Sequence, residues 1–345
     1  MTAAPVVAID EHLAAYGTAT AALVATYTSG REPRRHLYDP VRAFTMRQGK
    51  GLRPALCLAA CEAFGGTVED ALPAAAALEL LHAAFLIHDD IEDGSEQRRG
   101  RSAMHVEYGV PIALNAGDAL ATLALRPLLD EIDRLGSRMT RAVLAEFQRA
   151  MERTVEGQAV EIGWRADNVV DLTPVDYLDM ILRKTCAYTT ILPLRVGALI
   201  GSWGAADLDA IALYGFALGA AFQIQDDLLD LVSASGSYGK DVLGDVHEGK
   251  RTLTLLHLVH NAAPRDRAFV EQFLADGPAD RAESDVRRIA DLMDGSGSIT
   301  FAASYAAEMA RDANARFDDA FGGCPDSQPL RFLRALVPFM VERTS

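Results

Sequence analysis

An apolar segment that ends in four acids constrains this chain more than any other feature. Residues 79–93 read ELLHAAFLIHDDIED, which predicts one helix that is apolar along its length. Asp89 and Asp93 are four residues apart, so both carboxylates leave the same helical face, whereas Asp90 and Glu92 point elsewhere. Clustered acids repel one another. A hard cation such as Mg²⁺ relieves this repulsion because it binds carboxylates together with water and substrate phosphates.

A second segment repeats this pattern. Residues 222–230 read FQIQDDLLD, where Asp226 and Asp230 are again four residues apart and Asp227 is next to Asp226. A solvated acidic helix end would be the simpler explanation for one such motif alone. Two such helices facing each other would place aspartates on both sides of one cavity. The pair of motifs therefore predicts a site for several Mg²⁺ ions and a polyphosphate.

Composition and length favour one large all-helical domain, residues 1–345, with residues 1–8 as a flexible tail. Half of the 345 residues are hydrophobic. Length alone suggests about two domains, but no linker rich in Pro, Gly or Ser divides the chain. The formal net charge of −15 argues against nucleic acid as a partner, because nucleic-acid-binding proteins present basic faces.

The longest apolar run, residues 71–88, contains Glu79, His82 and His88. These polar residues predict a buried helix rather than a membrane span. With no signal peptide visible, we expect a soluble cytoplasmic protein. The four cysteines lack the second Cys or His pair that a zinc site needs, so free thiols are expected. They are Cys57, Cys61, Cys186 and Cys324.

Lysine is rare in this chain, and its positions are informative. The chain has four lysines, so that 29 of its 33 basic residues are arginine. Gradual replacement of lysine by arginine in an arginine-rich proteome would explain why lysine is scarce. It would not explain the positions at which lysine remains. A compact ammonium suits a phosphate oxygen as a point charge. The candidate phosphate-binding residues are therefore Lys50 in QGKGLRP, Lys184 in RKT, Lys240 in YGKD and Lys250 in EGKRT.

Other polar residues are spaced so that they could complete anion sites around the two motifs. Solvated arginines and a core histidine are the simpler alternatives for several of them. The candidates are Arg98 and Arg99 in the polar loop 94–104, Arg53 three residues after Lys50, His82 two turns before Asp89, Thr185 beside Lys184, and Gln223 three residues before Asp226.

Capping and turn signals divide the chain into helices. Thr67 with Asp70 resembles a capping box, Gly94 ends the long helix, and Thr173-Pro174 begins another. We expect a Gly- and Ser-rich loop at 232–249, followed by three or four helices.

The ordered motifs resemble those of the trans (E-type) isoprenyl diphosphate synthases, from Lys50 through Lys250, with a compatible helical tail to Arg343. DDIEDGSEQRRG resembles the first aspartate-rich motif, FQIQDDLLD the second, and GKDVLGDVHEGKRTL the lysine segment that follows. The resemblance implies an all-α fold of the isoprenoid synthase type, with helices around a deep central cavity, and usually a homodimer. One departure is visible. The family often reads GGKRLRP where this chain reads QGKGLRP, so Gly51 replaces a basic residue, which could weaken isopentenyl diphosphate binding.

The resemblance also implies a role for each candidate. Mg²⁺ and the allylic diphosphate would be held by Asp89, Asp93 and Asp226, supported by Asp227 and Asp230. The same diphosphate would be bound by Arg98, Lys184, Thr185, Gln223, Lys240 and Lys250. Isopentenyl diphosphate would be bound by Lys50, Arg53, His82 and Arg99. Among these, the catalytic set would be Asp89, Asp93, Asp226, Lys184 and Lys250.

The implied reaction joins isopentenyl diphosphate to an allylic diphosphate, which is dimethylallyl, geranyl or farnesyl diphosphate. Mg²⁺ and basic side chains stabilise the charge that develops on the leaving diphosphate. The allylic carbocation is then attacked by the double bond of isopentenyl diphosphate. Phe85 would lie about 6 Å below Asp89 at 1.5 Å rise per residue, and with Ala84 and Leu81 it would form the floor of the tail pocket. This floor predicts geranylgeranyl diphosphate, with farnesyl or longer-chain products as alternatives.

Two other classes compete with this interpretation. A class I terpene cyclase shares the DDxxD chemistry, but it normally has an Asn/Ser/Glu-type second motif and no site for isopentenyl diphosphate. A non-catalytic partner subunit commonly loses an aspartate motif, whereas this chain keeps both. A helical scaffold with acidic helix ends would leave the four lysines unexplained.

Overall fold

A computed structural model describes residues 9–47, 49–232 and 243–342. The predicted tail 1–8, Lys240 and Arg343 lie outside the described residues. The protein is all-α, as predicted. Its helices are α1 (Ile9–Thr28), α2 (Asp39–Thr45), α3 (Leu52–Ala63), α4 (Val68–Asp93), α5 (Met104–Tyr108), α6 (Val110–Leu123), α7 (Arg126–Asp130), α8 (Ile132–Ala166), α9 (Pro174–Ile181), α10 (Leu192–Gly201), α11 (Leu208–Val232), α12 (Gly244–Glu248), α13 (Leu253–Asn261), α14 (Pro264–Ala275), α15 (Glu283–Gly295), α16 (Ser298–Phe321) and α17 (Gln328–Glu342).

Four places in the described residues depart from regular α-helix. Backbone dihedrals break α8 at Gly136. Two π-helical segments, Arg34–Tyr38 and Leu182–Ile191, precede α2 and α10, and a 3₁₀ turn spans Pro278–Asp280.

The structure corrects three details of the sequence-based expectations. The polar loop 94–104 contains a small antiparallel hairpin, β1 (Gln97–Arg98) and β2 (Arg101–Ser102). Its turn residues, Arg99 and Gly100, both have positive φ, which is the backbone that a tight two-residue hairpin requires. The expected loop 232–249 contains the short helix α12, and five helices rather than three or four follow Lys250.

The chain divides into two compact units, which are described separately. Unit 1 comprises Met1–Arg149, Thr189–Leu213 and Arg316–Leu336. Unit 2 comprises Ala150–Tyr188, Tyr214–Ala315 and Val337–Ser345. The single domain expected from the sequence stays a prediction.

Helix α4 forms the centre of unit 1, where it packs against α1, α3, α6 and α10. It begins with the predicted capping box between Thr67 and Asp70 and ends at Gly94, which adopts a left-handed conformation. Leu80 and Leu81 are completely buried, and each such leucine stabilises the fold by about 1.5–3 kcal/mol. This packing fixes the end of the helix that carries the first aspartate motif.

Helices α3 and α10 of unit 1 pack unusually closely. A Cβ atom added to Gly197 would lie 2.1 Å from the carbonyl oxygen of Cys57, and one added to Gly201 would lie 2.2 Å from that of Cys61. Cys57, Cys61 and Cys186 are buried free thiols, and Cys324 is a part-buried one, so the expectation of free thiols is confirmed.

In unit 2, a compact apolar cluster lies beneath α12. It is built from α13, α14 and α15, with Leu258, Phe273 and Ile289 among its buried members, and it includes Val246 of α12. This cluster anchors the short helix that precedes Lys250.

Among the residues that the structure describes, three helical spans are long and apolar enough to cross a membrane, judged by length and composition alone. They are Val68–Asp93, Val110–Asp130 and Leu208–Leu231. In the first span, 72% of the most apolar window is buried inside the protein. Core packing therefore accounts for most of the apolar surface of α4.

Candidate active site

The first aspartate motif occupies the last turn of α4. That turn contains Asp89, Asp90, Glu92 and Asp93 and no basic residue. A helix C-terminus carries a partial negative charge, so acids there are unfavourable unless a cation lies nearby. Asp89 and Asp93 keep part-exposed side chains, whereas Asp90 is completely buried.

Arg98 supplies the cation. The hairpin returns it to the end of α4, where its Nε donates to Asp90 Oδ1 at 2.6 Å and its Nη2 to Asp89 Oδ2 at 3.3 Å. Burial alone would lower the pKa of Arg98, but the Asp90 and Asp89 carboxylates outweigh burial and raise it. Of the two carboxylates that Arg98 contacts, Asp90 is the completely buried one.

A second group of basic residues in unit 1 surrounds His82. Arg53 Nη1 lies 3.1 Å from His82 Nε2, and Arg53 Nη2 donates to Thr189 Oγ1 at 2.8 Å. Burial, followed by the charges of Arg53, Arg99 and Arg98, holds the pKa of His82 well below its usual value. A neutral imidazole can accept the Arg53 hydrogen bond, so His82 orients that guanidinium without adding charge.

Lys50 and Arg99 belong to neighbouring segments of unit 1. Lys50 is exposed just before α3, and Arg99 donates to the carbonyl oxygen of Arg47, three residues before Lys50. Gly51 has a left-handed backbone with φ 65°, and a Cβ there would lie 3.4 Å from Gly17 Cα. The 3.4 Å contact is ordinary packing, but the positive φ favours glycine at a position where the family often has a basic residue.

The second aspartate motif lies on α11 in unit 2. Asp226 and Asp230 are part-exposed, whereas Asp227 is buried. Tyr177 Oη donates to Asp227 Oδ2 at 2.7 Å, and Gln223 Nε2 donates to Asp227 Oδ1 at 2.7 Å. Burial, and then the neighbouring Asp245, raise the pKa of Asp227 to about 8.

The lysines of unit 2 lie beside carboxylates. Lys184 forms an ion pair with Glu161. Lys250 Nζ lies 3.0 Å from Asp245 Oδ1 and 3.0 Å from Glu248 Oε2. Each lysine is therefore held in place by acid, which a phosphate group could replace.

The π-helical segment Leu182–Ile191 places Lys184 and the buried Thr185. It passes so close to α8 that a Cβ added to Gly157 would lie 2.3 Å from the backbone nitrogen of Lys184.

Comparison with known proteins identifies the family. A family model described as polyprenyl synthetase matches residues 34–293. The short chain isoprenyl diphosphate synthase of Methanothermobacter thermautotrophicus is 35% identical over 295 residues, which cover 86% of this chain and 86% of the relative. The chain belongs to the polyprenyl synthetase family. It is therefore a prenyltransferase, and the resemblance drawn from its motifs is confirmed.

Solved structures agree with this assignment. The geranylgeranyl pyrophosphate synthetase of Pyrococcus horikoshii is 32% identical with a TM-score of 0.83, over 96% of this chain and 98% of that chain. A geranylgeranyl pyrophosphate synthase of Corynebacterium glutamicum, complexed with isoprenyl diphosphate and magnesium, is 26% identical with a TM-score of 0.81, over 97% of each chain. The predicted all-α isoprenoid synthase fold is confirmed.

The aspartates of this polyprenyl synthetase fit the Mg²⁺ on which the family depends. Asp89 with Asp93, and Asp226 with Asp230, each offer two part-exposed carboxylates one helical turn apart. Within the described ranges, no group of three or more His, Cys, Asp or Glu side chains is arranged to hold a metal by itself. Such pairs suit Mg²⁺, which one or two carboxylates hold together with substrate phosphates and water.

Several residues beside the candidate site residues were not singled out from the sequence. Glu79 is one of them. Burial raises the pKa of Glu79, and the charges of Arg53 and Arg99 counteract this shift. Its position three residues before His82 could have suggested it. The other residues contact predicted site residues through the tertiary fold, and most of them are not marked by a local sequence pattern. They are Asp90, Glu161, Tyr177 and Glu248.

Proposed function

We propose that this prenyltransferase condenses isopentenyl diphosphate with an allylic diphosphate and that its main product is geranylgeranyl diphosphate. The observation that carries this proposal is the pair of motifs in which part-exposed aspartates lie close to basic side chains. Arg98 contacts Asp89 in unit 1, and Asp245, whose backbone N–H donates to Asp230, pairs with Lys250 in unit 2. Carboxylates for Mg²⁺ and cations for phosphate are what a departing diphosphate requires.

The proposed roles follow the chemistry of each side chain. Mg²⁺ would be held by Asp89, Asp93 and Asp226, with support from Asp227 and Asp230, and it would polarise the diphosphate leaving group. The allylic diphosphate would contact Arg98, Lys184, Thr185, Gln223, Lys240 and Lys250. Isopentenyl diphosphate would contact Lys50, Arg53, His82 and Arg99.

Two of the proposed phosphate-binding lysines are already paired with carboxylates, which a substrate diphosphate would replace. Lys184 is paired with Glu161, and Lys250 with Asp245, so both side chains are already held by a carboxylate. A diphosphate would replace the carboxylates as their partner and would neutralise the same charge. Little side-chain entropy then remains to be lost when substrate binds.

The neutral His82 has a different role. It holds Arg53 through its Nε2 atom, so that the guanidinium faces isopentenyl diphosphate in one orientation. The bound double bond is then placed to attack the allylic carbon as the C–O bond breaks. The released diphosphate would take the proton, so no protein nucleophile or base is required.

The tail pocket should be limited by Phe85. Leu81 and Ala84 are completely buried in unit 1, whereas Phe85 is only partly buried. Of these three proposed floor residues, Phe85 therefore has side-chain surface that a growing prenyl tail can meet. One aromatic ring about one turn below Asp89 leaves space for a product of intermediate length.

Phe85→Ala is expected to lengthen the product by at least one five-carbon unit, because removal of the ring deepens the pocket. Chromatography of the dephosphorylated products would measure the chain-length distribution. Phe85→Tyr keeps the ring and is the matched control, with a distribution close to that of the parent protein. An unchanged distribution in Phe85→Ala would remove Phe85 as the floor.

The oligomeric state, solubility and cellular location of the enzyme are also proposals. We expect a soluble, cytoplasmic homodimer without a membrane span. Light scattering on detergent-free protein would test the oligomeric state and the solubility together. Aggregation that only detergent reverses would count against it.

The activity itself can be tested with purified protein, Mg²⁺, labelled isopentenyl diphosphate and each allylic primer in turn. The expected result is label in all-trans polyprenyl diphosphates, chiefly geranylgeranyl diphosphate, and no product when EDTA removes the metal. A cyclic hydrocarbon without elongation would instead indicate a terpene cyclase. Absence of both products with every primer would overturn the proposed function.

A further inference from the structure

Asp227 differs from the other aspartates of the second motif. Its carboxylate is buried, and both of its oxygens already accept hydrogen bonds at 2.7 Å, one from Tyr177 and one from Gln223. Asp226 and Asp230, one residue before and three residues after it, have part-exposed side chains. Asp227 is therefore oriented toward the protein interior, whereas its two neighbours are accessible.

Gln223 and Tyr177 approach Asp227 from different elements. Gln223 lies one turn earlier on α11, so its amide ties the carboxylate to its own helix. Tyr177 comes from α9, fifty positions earlier in the chain, and only 1% of its surface is exposed. The tyrosine bond therefore fastens α11 to a second helix.

The start of α9 is itself firmly fixed. Thr173 and Asp176 form a complete capping box, with the Thr173 N–H donating to Asp176 Oδ2 at 2.8 Å, and Pro174 begins the helix. Proline at the first helical position and a reciprocal cap both reduce the freedom of the first turn. The Tyr177 hydroxyl thus reaches Asp227 from a rigid support.

We infer that Tyr177 is a positioning residue for the second aspartate motif. By holding Asp227 through one oxygen, it fixes the rotation of this turn of α11, and so the direction in which Asp226 and Asp230 project. Partners behind the ligands of a metal commonly set its affinity, and their loss typically costs about 10–100-fold in metal binding or activity. Tyr177 would affect Mg²⁺ binding without contacting the metal. This inference rests on the function proposed above.

A purely structural role is the competing explanation, and the chain offers a control for it. Tyr16 in unit 1 is also buried and donates its hydroxyl to a carboxylate oxygen, Glu62 Oε2, at 2.6 Å. Tyr16→Phe removes the same chemical contact from helices that carry neither aspartate motif. A general effect of losing a buried tyrosine hydroxyl would appear in both variants.

The experiment compares Tyr177→Phe, Tyr16→Phe and the parent protein. Two quantities are measured: the Mg²⁺ concentration that gives half-maximal elongation, and the calorimetric affinity for Mg²⁺ with inorganic pyrophosphate in the absence of turnover. Tyr177→Phe should shift both by about tenfold or more and leave the KM for isopentenyl diphosphate within about twofold. Tyr16→Phe should change thermal stability but neither Mg²⁺ quantity.

A second variant covers the case in which Tyr177→Phe does not fold. Asp176→Ala loosens the start of α9 from its exposed side and should shift both Mg²⁺ quantities in the same direction by a smaller factor. Unshifted Mg²⁺ dependence in the folded variants, or an equal shift in Tyr16→Phe, would overturn the role of Tyr177. If the parent protein neither elongates nor binds Mg²⁺ with pyrophosphate, the proposed function fails instead.

Discussion

Asp89→Asn is expected to lower kcat/KM for chain elongation by about 10²–10³-fold, the usual cost of removing one preorganised electrostatic contact to a developing charge. The change keeps the size of the side chain but removes the negative charge from the accessible face of α4. Asp89 is also a partner of Arg98, so both a metal contact and the orientation of a cation are weakened. Initial rates with saturating Mg²⁺ and labelled isopentenyl diphosphate would measure the loss.

Glu92→Gln is the matched control, because it makes the same acid-to-amide change in the same helical turn. Glu92 is exposed, whereas Asp89 is only part-exposed. Its activity should stay within about twofold of the parent protein. Equal losses in both variants would show that the total charge of the motif matters rather than the position of Asp89.

Arg98→Met is expected to lower the free energy of unfolding by about 3–5 kcal/mol, the typical cost of leaving one charge of a buried pair without its partner. Asp90 is completely buried, and its Oδ2 atom already has no hydrogen-bond partner among the described residues. Removal of Arg98 would take away the donor to Oδ1 as well. Urea unfolding without Mg²⁺ or substrate would measure the change.

Two further variants test the cause of this destabilisation. Arg98→Met combined with Asp90→Leu should recover most of the stability, because replacing both members of a buried pair with apolar groups is often neutral. Arg126→Met breaks an exposed pair with Asp130 and should cost no more than about 1 kcal/mol. Similar losses of unfolding free energy for Arg98→Met and Arg126→Met would mean that the buried pair contributes no more to stability than an exposed pair.

The sequence predicts the helices of this protein well wherever local signals mark their ends. The capping box at Thr67, the glycine at position 94 and the Thr173-Pro174 start all recur in the structure. Each signal acts through neighbouring backbone groups, so no tertiary information is needed to read it. The i,i+4 spacing likewise predicts that Asp89 and Asp93 share a face, and the structure keeps both part-exposed on α4.

Short elements were harder to predict. The hairpin at Gln97–Ser102 has only two residues in each strand, and its turn depends on a positive φ at Arg99, which arginine rarely adopts. Helix α12 has five residues, too few to show a hydrophobic period. Its helical form depends on the apolar cluster beneath it, which is assembled from distant segments.

Local sequence patterns do not predict the tertiary partners of the candidate site residues. Tyr177 is fifty positions from Asp227, and Glu161 is twenty-three positions from Lys184. The charge state of His82 has the same origin, since burial and three arginines together hold its pKa down. Spacing predicts which residues share a helix face, whereas packing decides which of them are accessible and which are held from behind.

A double-mutant cycle between the two motifs tests the central claim most directly. The measurement is kcat/KM for elongation by the parent protein, Asp89→Asn, Asp226→Asn and the double variant. Groups that act as a unit on one departing diphosphate are strongly non-additive, so the double variant should be about as slow as the slower single variant. Losses that multiply, or full activity in either single variant, would contradict a shared role for the two motifs.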